Sequence, residues 1–147
     1  MKTEKQIIFL FLIAFVLHIV WENAQAPLFQ GYASFAAHFP MCLVGTVGDV
    51  LITLSVYFIV ALLKNDINWI SALNKKDFVI LAVIGFFIAV GIEWRALLFG
   101  RWAYADAMPI IPYLKVGLTP ILQMTFLLPL SMYLTKKIVT YKNYAKK

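Results

Sequence analysis

Apolar residues run almost unbroken over about residues 7–26, 41–63, 77–98 and 115–135, and the few polar side chains inside those runs recur at helical spacing. Each run approaches the roughly 20 residues that an α-helix needs to cross about 30 Å of hydrocarbon. The pattern predicts an all-α fold, an integral membrane four-helix bundle. The connections are too short for a further domain and no internal repeat is present, so residues 1–147 are expected to form a single transmembrane domain.

The polar positions define a stripe on each predicted helix. His18, Glu22 and Gln25 are spaced by four and three residues on the first, and Gly45, Asp49 and Thr53 by four on the second. Gly85, Ala89 and Glu93 repeat every four residues on the third, and Thr119 and Gln123 stand one turn apart on the fourth. At 1.5 Å per residue, Glu22, Asp49, Glu93 and Gln123 fall about 6, 12, 8 and 9 Å from the predicted helix ends that share one side. The opposite half offers little polarity beyond Ser55 and Tyr57. Glycine and alanine on the stripes (Gly45, Gly48, Gly85, Ala89, Gly91) would let backbones approach closely, turning the acids inward. Pro120 suits a first helical turn, whereas Pro129 should kink the fourth helix.

Composition agrees with the pattern. The chain is 63% hydrophobic and 14% charged, with a mean hydropathy of +0.84, well beyond the range of soluble domains. Charge adds direction. Ten of the 13 basic residues (Lys2, Lys5, Lys64, Lys75, Lys76, Lys136, Lys137, Lys142, Lys146 and Lys147) lie at the termini or in the middle connection. The positive-inside rule therefore places both termini in the cytoplasm. The net charge of +6 is an orientation signal, and no nucleic-acid partner is expected. A competing reading treats the first run as a signal peptide, with Ala24-Gln25-Ala26 as its cleavage site. The long apolar run, Trp21 and Glu22 inside it and Pro27 after it favour a retained helix. The single Cys42 allows no internal disulfide.

Segments 27–40 and 99–114 would then face outward. The first carries no formal charge with His38 neutral, and the second mixes prolines with the rings of Trp102, Tyr104 and Tyr113. They read either as an aromatic belt or as a pair of interfacial lids over a cavity.

Glu22, Asp49 and Glu93 inside apolar spans carry the candidate chemistry, because an unpaired carboxylate there costs several kcal/mol. Arg95 or Arg101 is expected to pair with Glu93 or Asp49, and Tyr104 to hydrogen-bond the same cluster. The catalytic candidates are Glu22, Asp49, Glu93 and His18. Trp21, Gln25, Trp94, Arg101, Tyr104 and Gln123 are the substrate-binding candidates. The spacing specifies no metal, no nucleotide or phosphate motif is present, and no cofactor is expected.

His18-Ile19-Val20-Trp21-Glu22 has the His-x-x-x-Glu form and resembles a helix of the emopamil-binding sterol isomerases and the sigma-2 receptor, the EXPERA family. The resemblance implies that Glu22 and His18 protonate and deprotonate an apolar substrate in a cavity open to lipid, with Asp49 as a second acid. It covers one helix and, loosely, the helix count. Gly100-Arg101-Trp102-Ala103-Tyr104 with Met108-Pro109, and Val116-Gly117-Leu118-Thr119-Pro120 with Leu122-Gln123, depart from that pattern. They look more like a small bacterial family of four-helix membrane proteins, which implies the bacterial inner membrane.

Three functions are compatible with these residues. The first is binding or conversion of a lipid or isoprenoid-like molecule by proton transfer, with Arg101 anchoring a polar head. The second is a proton- or cation-coupled transporter or channel subunit, which would need a homo-oligomer. The third is a non-catalytic partner subunit whose acids are all privately paired.

Overall fold

The computed structural model describes residues 2–144, and four helices account for most of them: α1 (Lys2–Gln25), α2 (Phe35–Lys64), α3 (Lys75–Leu98) and α4 (Leu118–Tyr144). All four are long and apolar enough to cross a membrane. Lys146 and Lys147, and the side chains of Lys2 and Lys142, lie outside the described residues.

Local chemistry explains where the helices begin and end. The Ser34 hydroxyl accepts from Ala37 N at 3.3 Å and caps α2 six residues before the apolar run at residue 41. Pro40 is therefore inside α2, where the sequence predicted a loop. Asn65, in the left-handed region at φ 48°, closes that helix. Asn74 and Asp77 form a reciprocal capping box at the start of α3. Residues 115–117, expected to be helical, instead belong to a small hairpin. Strands β1 (Ile110–Ile111) and β2 (Val116–Gly117) pair antiparallel, with Ile110 opposite Gly117 and Ile111 opposite Val116. Lys115 turns the chain at φ 55°, and α4 starts after it.

In space the helices run in the order α2, α1, α4, α3. Close packing joins α1 to α2, α1 to α4, and α3 to α4, while the consecutive helices α2 and α3 make no comparable contact. Gly85 is the tightest point: a Cβ there would stand 2.4 Å from the Met124 carbonyl oxygen, so only glycine admits α4 at this distance. Gly48 and Gly91 meet nothing within 4 Å of such a Cβ, which corrects their expected role in helix approach.

One end of the bundle is formed by the turn after α2. There Thr3 bonds Asn68 (3.1 Å), Gln6 bonds Ser71 (2.7 Å), and the Lys136 ammonium caps the Leu73 carbonyl (2.7 Å). Trp69 and Tyr57 fill the core above them. The opposite end is covered by residues 26–34 and 99–117, which pair with each other. Phe29 and Tyr104 form an antiparallel bridge, flanked by Gln30 N to Ala103 O and Ala105 N to Leu28 O, both 2.9 Å. The two connecting segments thus form one joined cover.

Candidate functional site

Beneath that cover the stripes of α1, α2 and α4 meet. The Gln123 Nε2 of α4 lies 2.7 Å from Asp49 Oδ2 of α2 and 2.9 Å from Glu22 Oε1 of α1. His18 Nδ1 is 3.1 Å from Asp49 Oδ2, and Gln25 Nε2 donates to Gln123 Oε1 at 2.7 Å and to Glu22 Oε1 at 3.1 Å. His18, Gln25 and Gln123 are buried, and the Asp49 side chain is 18% exposed. Five of the sequence candidates therefore share one hydrogen-bonded network.

The acceptors fix the orientation of the amides. Two carboxylate oxygens face Gln123 Nε2, so its Oε1 points to Gln25, whose Nε2 is in turn directed at Gln123 and Glu22. This leaves Gln25 Oε1 buried without a partner. His18 Nδ1 lies 3.1 Å from both Asp49 Oδ2 and Gln123 Nε2, so its role as donor or acceptor follows the tautomer, and its Nε2 is buried without a partner.

Gly45 makes room for Glu22. A Cβ at that position would stand 3.0 Å from Glu22 Oε2, so the stripe glycine on α2 seats the α1 acid. One turn away, the buried thiol of Cys42 donates to the Glu22 carbonyl oxygen at 3.6 Å.

Glu93 belongs to a second network. Its Oε2 accepts from the Trp102 indole at 3.2 Å and from the Tyr104 hydroxyl, so the cover is latched to α3 through this acid. Burial first, and then the bond to Glu93, push the Tyr104 hydroxyl well above its ordinary value of 10.0. Phe29 packs edge-on to Trp102, with ring centroids 6.4 Å apart, and supports the latch from the other segment. Glu93 remains within coulombic reach of Asp49 and Glu22. Trp102 was missed as a site residue. Its signal was the Trp102-Ala103-Tyr104 alternation, which puts two donors on one side of an extended chain.

Other expectations are corrected. Arg95 and Arg101 are exposed, and Arg95 lies over the Phe99 ring at 6.0 Å rather than against an acid. The ion pairs His18–Asp49 and Lys64–Asp77 involve neither arginine. Trp94 is 48% exposed and donates to the Leu114 carbonyl at 2.8 Å, bracing the hairpin from outside. The structure therefore brings neither Arg101 nor Trp94 to the acids. Trp21 is closer: with Ala24, Gln25, Leu28 and Thr119 it lines an open, mostly apolar groove of about 190 Å³. Polarity also extends further than expected toward the other end, where Gln6, Ser131 and Thr135 are fully buried. Ser55 is exposed and bonds its own helix.

The described residues contain no group of three His, Cys, Asp or Glu placed to hold a metal ion. No family model, curated protein or solved structure matches the chain.

Proposed function

We propose that this protein spans a bacterial inner membrane with both termini in the cytoplasm, and that it binds and converts a lipid or isoprenoid-like molecule by proton transfer at Glu22, Asp49 and His18. The observation that carries the reading is the convergence of two carboxyls on a single glutamine nitrogen, beside an imidazole and away from any guanidinium. Two carboxyls held on one nitrogen beside an imidazole put a proton donor and a proton acceptor within reach of the same substrate, which equips the cluster to deliver a proton and take one back. One carboxyl would protonate a carbon–carbon double bond. The other carboxylate, or His18 Nε2, would remove a proton from a neighbouring carbon, moving the double bond with no net change.

Glu93 tunes the site electrostatically and holds the cover closed. Its latch to Trp102 and Tyr104 couples access to the acids with the position of the outer segments.

The test compares wild type with Glu22→Gln and Asp49→Asn. Lipids co-purifying with each protein are identified by mass spectrometry. Enrichment of an apolar lipid in wild type, with an altered product ratio in the variants, is expected. Equal lipids in equal amount and ratio would remove the proposal.

Buried Gln6, Ser131 and Thr135 give a second reading some support, because they extend the polar face of α1 and α4 toward the cytoplasmic end as a proton- or cation-coupled carrier requires. Leu10, Ala14 and Leu127, all buried, interrupt that face, which favours the first reading. Proteoliposome flux abolished by Glu22→Gln with Asp49→Asn would reverse this order.

A further inference from the structure

Two residues of the groove lined by Trp21, Ala24, Gln25, Leu28 and Thr119 carry orphaned hydrogen-bonding atoms of opposite kind. Trp21 Nε1 is a donor and Gln25 Oε1 an acceptor, and both are buried without a partner. Gln25 as a whole is 5% exposed. Its orphan is a consequence of the acids: Glu22, Asp49 and Gln123 claim every amide hydrogen in the network and leave an oxygen over. An unsatisfied buried polar atom costs about 1–3 kcal/mol, and here two of opposite character lie one helical turn apart on α1.

We infer that this groove is the entry subsite for a neutral alcohol with a hydrocarbon chain, whose hydroxyl accepts from the Trp21 indole and donates to the Gln25 carbonyl. A hydroxyl is the smallest group that does both. A carboxylate or phosphate would satisfy Trp21 but face the Gln25 oxygen with like charge, and an ammonium would do the reverse. The groove also limits what enters. At about 190 Å³ it is smaller than a typical enclosed ligand pocket, so it admits the head and first carbons while the chain stays in lipid. Because both atoms are buried, binding requires the Trp21 and Gln25 side chains to turn them toward the groove surface. The inference rests on the lipid-binding reading and names the chemical class of its ligand.

The test uses full-length protein in phosphatidylcholine nanodiscs with a diazirine-bearing dodecanol as photoprobe. Labelling should map to residues 21–28 and to Thr119. Dodecanol should compete at least about tenfold better than dodecyl methyl ether, which accepts but cannot donate, and better than dodecylamine or dodecanoate. Trp21→Phe, which keeps a ring but loses the N–H, should reduce dodecanol to the level of the ether. Ala24→Phe should block labelling. Equal competition by dodecanol and its ether, stronger competition by the amine, or labels spread evenly over the lipid-facing helices would each overturn the inference. The wild-type competition series decides the matter even where a variant does not fold. Alcohol preference that persists in Glu22→Gln, with no effect of that variant on co-purifying lipids, would retain the subsite and remove the proton-transfer reading.

Discussion

At the scale of single residues, the centre turns on Gln123, whose one amide nitrogen serves the Glu22 and Asp49 carboxyls together. Carboxylates inside apolar runs announce themselves because burial without compensation is costly, and the spacing of His18, Glu22 and Gln25 was enough to place them on one face. Which donor each acid would find depended on how the outer segments fold back, and sequence spacing carries little of that. Arg95 and Arg101 were near Glu93 in sequence, yet two neutral donors from the cover reach it instead. Gln123→Leu would leave two half-buried carboxyls without their shared donor. It should lower stability by about 2–4 kcal/mol, read as a fall in melting temperature in detergent. Tyr104→Phe removes one bond to Glu93 and should cost about 1.5–3 kcal/mol. Because folding raises the Tyr104 pKa, its contribution is fully present below the ordinary value of 10.0 and declines as pH rises beyond it. The melting difference between wild type and Tyr104→Phe should accordingly hold steady from pH 8 to about 10 and shrink above that. A difference that grows with alkalinity would contradict the assignment.

At the scale of elements, four helices were readable from hydrophobic run length, but their ends were not. Hydropathy reports where a helix meets lipid, whereas a cap reports where it stops. Ser34 starts α2 well ahead of the run at residue 41, and the hairpin at residues 110–117 delays α4. The depth estimates still matched Glu22, Asp49 and Gln123 to one another, because they depended on the apolar runs. The small-residue stripes split in the same way. Gly85 is needed for close helix approach and Gly45 for seating the Glu22 carboxylate, whereas Gly48 and Gly91 serve neither, although all four looked alike in sequence. Gly85→Val should force α3 from α4 and cost at least about 1–3 kcal/mol. Gly91→Ala should leave the melting temperature unchanged or slightly raised, through helix propensity. Melting the two variants side by side tests the packing directly.

At the scale of the whole molecule, the bundle was legible as a helix count, but the neighbour order was not. A chain of consecutive hairpins would put α2 beside α3. The structure instead packs α1 against α4 at the centre and leaves α2 and α3 apart. The 65–74 turn makes this possible by resting on α4, where Trp69, Ile70 and Leu73 are buried. The proposed orientation is tested with Cys42→Ala as a background and a single cysteine placed at Tyr113, which is 97% exposed, or at Lys76. A membrane-impermeant maleimide applied to intact cells should label Tyr113→Cys and spare Lys76→Cys. Labelling in the reverse pattern would invert the topology.

The placement of Gln123 has a consequence for biosynthesis. The amide that joins the α1 and α2 acids arrives on α4, after α1, α2 and α3 have left the ribosome. Until then, Glu22 and Asp49 sit in a half-built bundle without the donor that unites them. A nascent chain stalled before residue 118 carries every acid of the centre and the His18–Asp49 contact, but not the amide that draws the two carboxyls together.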